Sequence, residues 1–263
     1  MSSEPHPLDV VAPAQIARLV EDVALRKVQL PFVQTLTLGV LAGAFIAFGA
    51  MFFTLVITGS ELGFGPTRLL GGMAFSLGLV LVIIGGAELF TGNSLIVLGL
   101  ADGRVSLAQL LRNWGIVYLG NLIGGVATAI LVHLSGILDM SGGAVGVTAV
   151  AISDAKLALD PLQAFARAIL CNVLVCLAVW MCFAAHSVSG KVLVILFPIT
   201  AFVALGFEHS VANMYMIPVA MLHAGVIDMG PALQNLAVVT AGNVVGGGVL
   251  VGLVYWLVYL RAD

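Results

Sequence analysis

The sequence predicts an all-α membrane protein whose six spanning helices form two inverted three-helix repeats, the second and fifth helices being broken. Three observations predict it. Of 263 residues, 61% are hydrophobic and only 9% charged, with a mean hydropathy of +1.15, an apolar excess that no soluble domain needs. Six apolar segments approach or exceed the ~20 residues of a transmembrane helix. Two polar motifs in the first half of the chain recur, about 120 residues later, in the second.

Residues 1–30 carry Glu4, Asp9, Arg18, Glu21, Asp22, Arg26 and Lys27 and lack the apolar core of a cleaved secretory signal. Behind Pro13, residues Ile16, Leu19, Val20 and Val23 follow helical spacing. That pattern fits a short amphipathic helix on the membrane surface, or a solvated tail helix. Residues 31–263 read as one membrane domain, with repeat 1 over about 32–134 and repeat 2 over about 164–260. Its apolar segments run over 32–58, 69–100, 115–134, 165–185, 192–226 and 236–260, the second and fifth being interrupted.

Orientation follows from the positive-inside bias of short loops and chain ends. With the N-terminus in the cytoplasm, Arg18, Arg26, Lys27, Arg104, Arg112, Lys191 and Arg261 collect inside, against Arg68, Lys156 and Arg167 outside. Both termini are therefore expected in the cytoplasm. A net charge of −3 gives no basis for a nucleic-acid partner.

The repeat is carried by two echoes. Glu88–Asn93 and Glu208–Asn213 both read Glu-x-x-x-x-Asn, 120 residues apart, and Gly120-Asn121 returns as Gly242-Asn243 after 122. Two independent echoes at nearly one offset mark an internal duplication. Three spans per half force the second half to enter the bilayer upside down, which puts a solute site near the midplane at discontinuous helices in matching positions. Thr91-Gly92-Asn93-Ser94 concentrates helix-capping residue types, and Ser210 and Asn213 offer side-chain oxygens to a restarting helix. Two half-helix N-termini pointing at the centre favour an anion.

Other polar residues have plainer expectations. Glu88 and Glu208 are expected to be structural, bonding backbone at the breaks, since a carboxylate repels an anion. Asn121 and Asn243 either anchor helices or face the pathway. Gly124, Gly125, Gly246, Gly247 and Gly248 allow close helix approach. Cys171, Cys176 and Cys182 share one segment with no His or second Cys cluster; they are packing residues, and no metal or other cofactor is expected. Asn-Pro occurs nowhere, which argues against a neutral-solute pore of the water or glycerol type. An ammonia pore suggests paired lumenal histidines, whereas only His209 is central. A serine hydrolase is also disfavoured, because Ser210 merely adjoins His209 and no Gly-x-Ser-Gly occurs. The chain reads as a transporter, not an enzyme.

Phe75-Ser76-Leu77-Gly78-Leu79, Glu88 to Thr91, Asn172 to Met181, Phe202-Val203-Ala204, Gly206 to Met216 and Gly242 to Gly248 together resemble the formate/nitrite transporter family, most of all its formate channel branch. The resemblance extends over nearly the whole chain, and the Gly-Phe-Glu-His-Ser-Val-Ala-Asn-Met run is highly specific. It implies an aquaporin-like six-helix bundle in a homopentamer, embedded in the inner membrane of a prokaryote, with a pore for a small monovalent anion in every subunit. Formate is the first expectation and nitrite the alternative, the Phe90–Asn93 run fitting either branch; hydrosulfide, acetate and lactate share the chemistry.

By the same resemblance, the pore histidine falls on His209, the loop threonine on Thr91, the vestibule lysine on Lys156 and the pore asparagine on Asn172. Apolar constrictions fall on Phe75, Leu79, Leu89, Phe90, Val175, Phe202 and Phe207. A bare anion in an apolar slit costs far too much to cross alone. His209 can donate a hydrogen bond when neutral or a proton when charged, with Thr91 fixing its orientation. The anion is thus expected to be protonated or strongly hydrogen-bonded there before crossing, through a channel or by symport with a proton. On this reading His209→Asn and His209→Phe both lose proton-coupled uptake.

Overall fold

Ser106, Asp160 and Asp228 each set a side-chain oxygen on a backbone N–H two or three residues ahead, and each starts a helix that crosses the bundle. These caps satisfy donors that a helix N-terminus otherwise leaves free. The computed structural model describes residues 11–261; Glu4 and Asp9 lie outside them.

The elements in chain order are α1 (Pro13–Gln29), α2 (Phe32–Ile57) and α3 (Phe64–Gly85), then a 3₁₀ turn (Gly92–Ile96) running into α4 (Val97–Ala101). There follow α5 (Leu107–Leu134), α6 (Ala144–Leu157), α7 (Pro161–Ala184), α8 (Val188–Ala204) and α9 (Ser210–Ala224). Finally α10 (Met229–Val244) continues through a π-helical stretch (Val245–Leu253) into α11 (Val254–Tyr259). Among the described residues, five continuous helices are long and apolar enough to cross a membrane: α2, α3, α5, α7 and the α10–α11 helix. The two halves of the fifth predicted span, α8 and α9, have 17 and 15 residues on either side of a break. The architecture is the six-segment, twice-broken bundle that the sequence predicts, and the protein is a multi-pass membrane protein.

Several spans begin earlier than their apolar runs. Asn113 and Asn235 lie in these extensions, and both are buried because their amides are bonded inside the bundle. One element was not foreseen at all: α6, which packs beside α9 between the two repeats.

The expectation for α1 is corrected in one respect. Its buried stripe is Ile16, Ala17, Val20, Ala24 and Val28, while Leu19 is 40% exposed. That stripe packs on Leu95, Leu98, Trp180 and Val251, and on Ile96, Val97 and Val105. Protein, rather than lipid or water, receives the apolar face. Arg104 fastens it further, pairing with Glu21 at 2.7 Å and Asp22 at 3.0 Å.

Within the bundle, α2 and α5 touch backbone to backbone. A Cβ on Gly43 would collide with the Asn121 carbonyl, and one on Gly124 with that of Val40. Such contacts hold helices together in lipid, where no hydrophobic force does. Because a rigid helix backbone cannot yield, Gly124→Ala should cost about 1–3 kcal/mol. Thermal unfolding in detergent would register this as a clear fall in midpoint; an unchanged midpoint would refute the close packing.

Both breaks are built alike. After α3, Gly86 adopts φ +77° and Ala87 N–H reaches back to the Val82 carbonyl. After α8, Gly206 adopts φ +71° and Phe207 N–H reaches back to Phe202. This is the glycine-terminated helix stop, whose left-handed residue suits glycine and few others. The two stops lie 120 residues apart, so the duplication reaches down to backbone conformation.

Candidate functional site

An extended strand of chain released in mid-membrane must find partners for its amides. In the first break, Asn121 supplies them. Its Oδ1 accepts from Phe90 N–H at 2.9 Å, and its Nδ2 donates to the carbonyls of Gly39 (2.8 Å) and Glu88 (2.9 Å). In the second, Asn243 does the same: Oδ1 accepts from Ser210 N–H at 2.9 Å, and Nδ2 donates to Ala168 (2.8 Å) and Glu208 (2.9 Å). Both residues are fully buried, and every side-chain bond of each goes to backbone, as the anchoring alternative requires.

Beside each anchor, four residues close a hydrogen-bonded ring. On one face, Lys27 Nζ donates to Glu88 Oε1 (2.7 Å), Asn93 Nδ2 donates to Glu88 Oε2 (2.7 Å) and to Asn113 Oδ1 (2.9 Å), and Asn113 Nδ2 returns to the Lys27 carbonyl (3.3 Å). On the opposite repeat, Lys156 Nζ donates to Glu208 Oε1 (2.9 Å), Asn213 Nδ2 to Glu208 Oε2 (2.8 Å) and Asn235 Oδ1 (2.8 Å), and Asn235 Nδ2 to the Lys156 carbonyl (3.3 Å). The expectation that Glu88 and Glu208 bond backbone is therefore corrected: their carboxylates are neutralised by lysines. A helix ahead of each repeat, α1 or α6, brings the lysine. Sequence reasoning missed Lys27, Asn113 and Asn235, although the last two stand 122 residues apart, the offset of Asn121 and Asn243.

The rings differ at one atom. Lys27 also donates to Asn93 Oδ1 at 2.9 Å, whereas Asn213 Oδ1 is buried with no hydrogen-bond partner. Asn213 thus does not cap α9 as expected, and neither does Ser210, whose Oγ is likewise unpartnered. Lys156 instead lines a half-open cavity of about 330 Å³.

The cap of α9 is His209. Its Nδ1 accepts from Ala212 N–H at 3.0 Å, and its Nε2 lies 2.9 Å from Thr91 Oγ1 across the two breaks. An Nδ1 that accepts carries no proton, so the neutral ring is the Nε2–H tautomer, with Nε2 the donor. Protonating Nδ1 would set one N–H against another and break the cap.

Rings close the cavity around the imidazole. Phe202 stacks on His209 at 5.8 Å, with 24° between planes, and Phe75 meets Phe202 edge-on at 5.4 Å. Phe75, Phe202, Phe207 and His209 line the cavity together with Lys156 and Glu208. The remaining expected constriction residues do not line it. Leu79, Leu89 and Val175 are buried in the surrounding core. Phe90 turns toward α5, edge-on to Trp114 and Tyr118.

Asn172 also lies off the cavity. Its Nδ2 bonds the Thr91 carbonyl (3.2 Å), Ser94 Oγ (3.1 Å) and the Asn243 carbonyl (2.6 Å), tying the first break to the anchor of the second. Cys176 adds a weak bond to the same Thr91 carbonyl. On the α1 face the corresponding cavity is only about 30 Å³, lined by Val20, Lys27, Gly92, Asn93 and Phe183.

The arrangement is a cationic vestibule floored by a hydrogen-bond donor in an aromatic slot, with the duplicated break behind it. Known proteins resemble the chain over nearly its full length. The formate channel FocA of Escherichia coli strain K12 is 37% identical, with 98% of each chain covered. A probable formate transporter of Methanothermobacter thermautotrophicus is 41% identical, over 95% of this chain and 97% of the other. Among solved structures, a pentameric formate channel with formate bound superposes with a TM-score of 0.80 at 42% identity, covering 88% of this chain and 98% of that one. The family model for formate/nitrite transporters matches residues 14–257, and with these relatives it shows that the chain belongs to the formate/nitrite transporter family.

Proposed function

We propose that the protein is a homopentameric formate channel of a prokaryotic inner membrane, with both termini cytoplasmic and one pore in every subunit, and that it is not an enzyme. The observation that carries this reading is the His209–Thr91 pair beneath the Lys156 cavity, where a donor with a spare direction waits at the entrance to an aromatic slot. The pentamer and the preference for formate rest on what the relatives are known as.

Formate drawn into the cavity meets the Lys156 ammonium, then the Nε2–H of His209, which turns from Thr91 to the anion. Between Phe75 and Phe202 water is stripped away. Desolvation raises the pKa of the carboxylate itself, so the substrate gathers its proton from solution while His209 keeps it hydrogen-bonded. A neutral imidazole cannot be the proton's source, since giving up Nε2–H would leave an imidazolate. Proton coupling therefore comes from the substrate's own equilibrium, and His209 is a donor of hydrogen bonds.

Nitrite has the same charge, a similar size and weak basicity, and is the second reading because the family includes its transport. Uptake of formate and of nitrite into proteoliposomes, with and without an inward proton gradient, tests both. Formate uptake well above that of empty liposomes, accelerated by the gradient, is expected. Glycerol uptake without formate uptake would overturn the assignment in favour of a neutral-solute pore.

A further inference from the structure

Two arginines at the cavity have no place in the mechanism above. Arg68, the fifth residue of α3, donates through Nε to the Ala204 carbonyl (3.0 Å) and through Nη2 to that of Val203 (2.9 Å). Arg167, from α7, donates through Nη1 to the Gly206 carbonyl at 3.3 Å. They flank one residue: the point where a Cβ on Gly206 would sit is 2.9 Å from Arg68 Nη2 and 3.8 Å from Arg167 Nη1. Both line the cavity.

Capping the last carbonyls of α8 explains one guanidinium, not two. Like charges this close repel, and no ion pair relieves either among the described residues. The one carboxylate on the cavity wall, Glu208, is already taken by Lys156 and Asn213. Three cations therefore face one carboxylate. Donors also remain: of the five N–H groups of each guanidinium, Arg68 leaves Nη1 unused, and Arg167 leaves Nε and Nη2. Nothing comparable stands at the mirrored stop, where a Cβ on Gly86 would find no atom within 4 Å.

We propose that Arg68 and Arg167, on either side of Gly206, form an anion station that takes a planar two-oxygen anion, a carboxylate or nitrite, from solution and passes it to Lys156 and His209. The fork of a guanidinium matches two oxygens side by side, which a lysine cannot do. This inference rests on the transport reading above and names the residues by which that site recruits its substrate.

The test compares wild type, Arg68→Gln/Arg167→Gln and Arg68→Lys/Arg167→Lys in proteoliposomes, with formate and hydrosulfide as probes at low and high ionic strength. For the Gln pair, half-saturating formate should rise about tenfold at low salt, and less at high salt, as expected when attraction between charges is lost. Maximal rate should stay within about twofold, since His209 and the slot are untouched. The Lys pair should restore hydrosulfide fully but formate only in part, because the charge returns without the fork. Arg167→Gln alone, which loses one long bond, serves should the double variant fail to fold, and should raise the half-saturation about threefold. An unaltered half-saturation in folded variants would reduce the arginines to loop clamps and overturn the station. No formate uptake by wild type would instead overturn the transport reading.

Discussion

His209→Phe should cut formate uptake by at least about a hundredfold, whereas His209→Asn should keep it within about tenfold with an unchanged pH profile. The two replacements separate because of the Nδ1 bond to Ala212 N–H. Asparagine is among the strongest N-caps, so its Oδ1 can take that N–H while its Nδ2 still donates toward Thr91 or the anion. Phenylalanine keeps the stack on Phe202 but supplies neither cap nor donor. A hydrogen bond to a charged group contributes about 1.5–3 kcal/mol, and among the described residues Thr91 Oγ1 is the side-chain donor beside Nε2. The sequence alone expects both variants to lose proton-coupled uptake, because it treats the imidazole as a proton carrier. Initial rates between pH 5 and 8 decide the matter: a flat profile in the Asn variant beside a steep one in wild type would restore that role to His209.

Asn243→Leu should yield little or no folded protein. The substitution nearly preserves volume but strands Ser210 N–H and the Glu208 carbonyl, and strips the helical Ala168 carbonyl of its second bond, all three bonds being 2.8–2.9 Å long. Each stranded group costs about 1–3 kcal/mol at a site fully buried from solvent. Together the losses come to about 2–6 kcal/mol, a large share of the stability of an ordinary fold. Asn121→Leu should behave alike, through Phe90 N–H and the carbonyls of Gly39 and Glu88. Size-exclusion profiles of purified membranes in mild detergent would show aggregation or loss of yield. A monodisperse oligomer with wild-type melting behaviour would mean that these anchors are dispensable.

Most of the fold was legible because membranes restrict the choices: six apolar runs and a repeat at 120 residues leave one topology. The breaks were legible for a similar reason, since Glu, His and Asn in mid-membrane require irregular backbone or a cavity. What escaped were pairings between distant residues. The bond from Lys27 to Glu88 spans 61 positions and that from Lys156 to Glu208 spans 52, and neither lysine lies in an apolar segment. α6 escaped because its small, mostly apolar residues, Ala144 to Ser153, show no marked stripe. The cap at His209 was assigned to Ser210 and Asn213 because residue type favours them, whereas geometry gave the Ala212 N–H to the imidazole. Phe90 and Asn172 also make contacts that the sequence did not show, the one edge-on to Trp114 and Tyr118 and the other bonded to both breaks.

The tautomer of His209 tests the central claim most directly. Nitrogen-15 NMR of histidine-labelled protein in lipid bilayers at pH 7, assigned by comparison with His209→Asn, reports each ring nitrogen separately. The account predicts a bare Nδ1, a protonated Nε2, and a shift confined mainly to Nε2 when formate is added. Two protonated nitrogens, or a proton on Nδ1 with Nε2 bare, would contradict it.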